Sequence, residues 1–140
     1  MSKSNAFENS LLLLIFNATA IADIAENDTT SPATTLTVAL HTADPGEAGT
    51  MTTSEATYTS YARVTVNRNS GGWTVTGNSV SPTADIVFPQ ATGGTNTITH
   101  FSVGTGVSNN LMYSGTVTPN ISVTNGVQPV LDSTSTITED

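Results

Sequence analysis

Two histidines are the only side chains in this sequence whose ordinary pKa suits proton transfer near neutral pH: His41 and His100. Each falls in a stretch that reads as a strand. Asp44 stands three residues after His41, and serines and threonines are abundant, so a Ser-His-Asp trio can be drawn on paper. Nothing else supports it. There is no G-x-S-x-G elbow, and the sequence marks no buried acid that would orient a histidine. The expected role of both histidines is half-buried packing, and no catalytic residue is assigned.

Metal chemistry is equally thin. The chain has no cysteine, and two separated histidines lack zinc-site spacing. Asp23, Glu26 and Asp28 crowd one stretch and carry oxygen ligands of the type hard cations take. The expected reading is a solvated helix end, so no metal or other cofactor is assigned. Tyr58, Tyr61 and Trp73, with Arg63 nearby, supply the residue types of a sugar-stacking platform. A core tryptophan on a sandwich strand is the plainer expectation. Gly71-Gly72 and Gly93-Gly94 lie between strands rather than before helices, so they do not make a phosphate loop. Asn17, Asn27 and Asn120 each begin an N-x-S/T triplet, as expected by chance in a chain so rich in Asn and Thr.

The elements around these residues read as follows. Thr35, Thr37 and Ala39 alternate with Leu36, Val38 and Leu40, a period of two that makes a strand with one apolar face. Asp44-Pro45-Gly46 then stops it: proline presets φ at the first corner, glycine takes the positive φ, and the aspartate caps the turn. Further strands are expected over 61–67, 73–76, 84–88, 97–103, 111–117, 121–123 and within 127–137. Gly and Asn turns separate them, and Pro119-Asn120 is read as one such turn. About eight short strands at roughly ten-residue spacing predict an all-β fold, an antiparallel β-sandwich or partly closed barrel.

Before the strands comes one helix, expected over 4–19. Ser4 or Asn5 caps it, and Glu8 stands where the helix dipole favours an anion. Phe7, Leu11, Leu14, Ile15 and Ala18 follow one helix face. Leu12, Leu13 and Phe16 lie off that face, so the helix wants cover on several sides: these three are the expected partner interface, and the alternative is a helix sunk in the chain's own core. The chain is read as a single domain over 1–140, with a helical segment over 1–26 and the β-sandwich over 34–140.

Composition narrows the classes. The charged fraction is 10%, against about 25% in an average chain, and 11 acidic residues face 3 basic ones for a net charge of −8. So few cations cannot release counterions from nucleic acid or hold an anionic membrane surface. Lys3, the apolar run 11–16 and Ala18-Thr19-Ala20 imitate a signal peptide. Glu8 in the basic region and the shortness of the run argue against cleavage, and the run is too short to cross a bilayer.

Taken in order, FENSLLLLIFN (7–17), TLTVALHTADPGEAG (35–49), TYTSYARVTVNR (57–68), GWTVTGNSV (72–80), FPQATGGTNTITHFSVGT (88–105) and LMYSGTVTPNISVTNGVQP (111–129) resemble a family of small tailed-phage virion proteins. Its members are often labelled tail-fibre proteins. The resemblance covers nearly the whole chain. It implies a virion component without enzymatic activity, assembled in the host cytoplasm, and offers no catalytic residues to carry over. Two roles follow as expectations. The favoured one is a cement (decoration) protein clamping the major capsid protein lattice. The alternative is a tail or neck appendage, fibre or adaptor, contacting a host receptor or sugar. The expected partners are other virion proteins, the major capsid protein first, and further copies of the chain in a homo-oligomer such as a trimer.

Overall fold

The computed structural model describes residues 5–20, 33–105 and 109–139. Nine strands and one N-terminal helix make up the regular structure of the described residues, so the fold is all-β with one helix. Its elements are α1 (Asn5–Asn17), β1 (Thr35–His41), β2 (Val64–Asn67), β3 (Trp73–Thr76), β4 (Ser79–Pro82), β5 (Ile86–Val87), β6 (Asn96–Gly104), β7 (Leu111–Val123), β8 (Val130–Leu131) and β9 (Ile137–Thr138). The chain divides into two compact units: residues 1–35, 67–85 and 132–140, and residues 36–66 and 86–131.

The first unit joins α1 to the sheet β3-β4-β9. β3 and β4 form an antiparallel hairpin with Trp73 opposite Pro82 and Thr76 opposite Ser79. Gly77 turns the hairpin at φ +63°, a conformation glycine adopts without Cβ strain. Helix α1 packs on this hairpin with Phe16 against Trp73, and Leu12 and Phe16 are both fully buried. The end of α1 explains the odd placement of a guanidinium. The last-turn carbonyls of a helix have no intrahelical donor. Arg68 donates to two of them, Ile15 (2.6 Å) and Leu14, and also to the Ala33 carbonyl (3.1 Å). A cation at this end also suits the helix dipole.

The second unit carries the four-stranded sheet β2-β1-β6-β7 and the pair β5-β8. The pairs β1–β6, β6–β7 and β5–β8 are antiparallel. β1 was expected to bury one face; residues 36–41 are all buried. Its interior place in the sheet, between β2 and β6, is why the small residues Thr37 and Ala39 are covered as well as the leucines. The turn after β1 matches its expected chemistry. Gly46 sits at φ +70° and its N–H donates to Asp44 Oδ1 at 2.9 Å.

Two strand expectations change. Ser79–Pro82 is a strand, β4, with Gly77-Asn78 as the tight turn that makes it one. Residues 111–123 form one strand rather than two strands split at Pro119-Asn120. β7 lies at the sheet edge, where the missing N–H of a proline need not cost a ladder bond. A register shift between Ile98 and His100 accommodates the irregularity.

Candidate functional site

Strand pairing brings the two histidines opposite each other, His41 on β1 and His100 on β6. It also gives His41 a partner that sequence reasoning missed. His41 Nε2 lies 2.7 Å from Ser102 Oγ, and both residues are 0% exposed. His41 Nδ1 lies 2.8 Å from the Thr53 carbonyl oxygen. A carbonyl only accepts, so Nδ1 carries the proton and Nε2 accepts from the serine hydroxyl. The signal was the two-residue step from His100 to Ser102 on one strand face, but only the β1–β6 register turns that step into a contact. Asp44, drawn into the paper trio, is exposed and spends a carboxylate oxygen on Gly46.

A Ser–His pair resembles the first two members of a nucleophilic triad. Here the third position is a backbone carbonyl, and neither side chain meets solvent. The pair acts as a tie. It holds the segment after β1 against the sheet, beside the backbone bonds Thr42 N to Ser54 O and Ala56 N to Leu40 O, each 2.8 Å. Burial lowers the His41 pKa below 6.5, against the opposing pull of the Thr53 carbonyl and the Glu55 charge. Folded His41 therefore binds a proton less readily than unfolded His41. Its contribution to stability is complete above about pH 6.5 and is lost as pH falls from there toward the folded pKa. The loss is at most about 1.4 kcal/mol per pH unit. Thermal melts from pH 8 to pH 5 should show this slope, and His41→Gln should flatten it; an unchanged slope would assign it to other groups.

Next to this tie lies an ion-pair network. Arg63 grips Glu55 with two parallel bonds, Nε to Oε1 at 2.7 Å and Nη2 to Oε2 at 2.8 Å. Its Nη1 reaches Asn109 Oδ1 at 2.8 Å. The Tyr61 hydroxyl donates to Glu55 Oε1 and accepts from the Leu40 N–H, both at 3.0 Å. Burial pushes the Tyr61 phenol up, and the bond to Glu55 raises the Arg63 pKa. The Arg63 and Glu55 side chains are only 21% and 17% exposed. Glu55→Gln keeps the shape but removes the charge, and should cost about 1–3 kcal/mol in urea unfolding. A cost below about 0.5 kcal/mol, as for surface pairs, would make the network incidental.

The aromatic residues that could stack a sugar are each engaged in packing within their own unit. Tyr58 and Tyr61 pack edge to face at 5.3 Å, and Tyr61 stacks on Phe88 at 6.4 Å, all within the second unit. Tyr58 is buried, and its hydroxyl donates to the Pro89 carbonyl. Trp73 is buried in the first unit against Phe16. Asp23, Glu26 and Asp28 lie outside the described residues. Among the described residues no three His, Asp or Glu side chains group as metal ligands would. No described helix is long and apolar enough to cross a membrane.

The helix residues expected at a partner interface fall into two sets. Leu12 and Phe16 are fully buried, Phe16 against Trp73 of its own unit, while Leu13 keeps part of its surface exposed. Glu8, Leu12 and Phe16, one turn apart, form the covered stripe; Leu11, Leu14, Ile15 and Ala18 are half-buried. The apolar run is so uniform that its periodicity could not choose the inner face. The choice came from Trp73, whose ring meets Phe16 edge-on at 4.8 Å.

In the second unit an open groove of about 330 Å³ is lined by Asp44, Gly46 and Glu47 from the turn after β1 and by Leu111, Met112 and Ser114 of β7. It mixes two carboxylates with the apolar side chains of Leu111 and Met112.

No curated protein matches the chain significantly. The family model described as podophage GP4 fiber I protein gp80 matches residues 2–138. The match takes in both compact units and every element from α1 to β9. The chain therefore belongs to the podophage GP4 fiber I protein gp80 family, a family of phage fibre proteins located in the virion.

Proposed function

We propose that this chain is a structural fibre or adaptor component of the tail or neck, working by protein–protein contact and without catalysis. The family match over residues 2–138 carries this reading. It favours the appendage over the capsid cement that the sequence alone suggested. The sealed Ser102–His41 pair supports a non-catalytic role, because no substrate can reach it without unfolding that region. The assembled form is a homo-oligomer, with a trimer the first symmetry to test. Of Leu12, Leu13 and Phe16, Leu13 is the residue with surface left to offer a partner.

The test is stoichiometry. Quantitative mass spectrometry of purified particles should give a small copy number set by a tail or neck ring, far below that of the major capsid protein. A copy number close to that of the major capsid protein would overturn the appendage reading and restore cement.

A further inference from the structure

We propose that the outer edge of β7 is a docking site for an extended, Lys- or Arg-bearing segment of a different virion protein. The inference rests on the virion reading above and names the kind of partner it requires.

β7 ends the sheet order β2-β1-β6-β7, so no described strand pairs with its outer side. At 13 residues it is long for an edge. The other edges are short: β2 and β3 have four residues each, and β5, β8 and β9 have two. Proteins usually guard a long edge with charges, a bulge or a covering segment, because its backbone groups template a further strand. β7 has no charged residue at all. Its guard is Pro119, and no described strand covers the outer side of the stretch 114–118 before that proline, which is left to template one. From 113 to 118 its residues alternate between half-buried and exposed, with Ser114, Thr116 and Thr118 outward, while Leu111 and Met112 are both half-buried. This is the arrangement by which an extended peptide adds a strand, backbone bonds giving affinity and neighbouring pockets giving choice of sequence.

The neighbouring pocket selects the occupant. The groove shares Leu111, Met112 and Ser114 with this edge and adds the exposed carboxylates of Asp44 and Glu47. An incoming strand with a cation beside apolar residues matches both halves. A second copy matches poorly. Both arginines are committed, Arg63 to Glu55 and Asn109 and Arg68 to the carbonyls at the end of α1, and the third basic residue, Lys3, lies outside the described residues. Another copy would bring more carboxylates to a chain already at −8.

Amide hydrogen exchange decides the matter, measured on the isolated chain and on the chain in purified virions. In the virion, every second amide between 114 and 118 should exchange about ten-fold or more slowly than in the isolated chain, since alternate N–H groups of an edge strand face outward. Glu47→Lys, on an exposed loop, should lower incorporation into particles by about ten-fold while the melting temperature holds. Unchanged exchange in a chain that is present in the particle would overturn this inference and leave the fibre reading standing. The same protection in the concentrated isolated chain would replace the proposed partner with a second copy. Undiminished incorporation of Glu47→Lys would overturn the cationic assignment. A chain missing from the particles would overturn both readings.

Discussion

Phe16→Ala should destabilise the chain by about 3–5 kcal/mol, the cost of removing a fully buried phenylalanine and leaving its cavity. Phe16 is 0% exposed and meets the Trp73 ring edge-on at 4.8 Å and 66°. The aromatic contact itself accounts for about 0.5–1.5 kcal/mol of that loss. Helix α1 has 13 residues, a length that is marginal in water without tertiary packing. Its seat is the stripe formed with Leu12, so the ring's loss should loosen the whole helix from β3 and β4. A domain holds only about 5–15 kcal/mol in total, so the variant should unfold at much lower urea. Trp73 is the only tryptophan, and its fluorescence reports from the altered site. Leu13→Ala, at a partly exposed position, should cost far less. A cost below about 1 kcal/mol for Phe16→Ala would mean that the helix owes its place to a partner rather than to its own unit.

The helix also shows where sequence reading stops. Its existence was plain from the apolar run, the early Glu8 and the capping residues, and α1 spans 5–17 where 4–19 was expected. Its inner face was not legible, since LLLLIF offers an apolar residue in almost every direction. The β class was legible from alternation and turns, down to the positive φ at Gly46. Pairing was not. β1 joins β6 across some sixty residues, and only that register seats Ser102 against His41. The long β7 was hidden by Pro119, which signals a break in a central strand but is tolerated at an edge. The two arginines were visible, but their work was not. Arg63 and Arg68 take up acceptors 8 and 53 residues away, distances over which one sequence carries no pattern.

His41→Ala should cost about 3–5 kcal/mol, because it removes two buried hydrogen bonds at once. The Ser102 hydroxyl would lose its acceptor and the Thr53 carbonyl its donor, each orphan costing about 1–3 kcal/mol, with a cavity added where the ring stood. The backbone bonds at Thr42 and Ala56 would survive but would hold the segment alone, so the amides of both residues should exchange faster. The asymmetry between deleting one partner and deleting both makes the test sharp. Ser102→Ala combined with His41→Leu leaves no unpaired side-chain group, only the Thr53 carbonyl, and should regain part of the stability lost in His41→Ala. Virion assembly should follow stability across this set. A Ser102→Ala chain that folds normally but abolishes a measurable activity would instead make Ser102 a nucleophile that opens to solvent, and would overturn the reading of this pair as a tie.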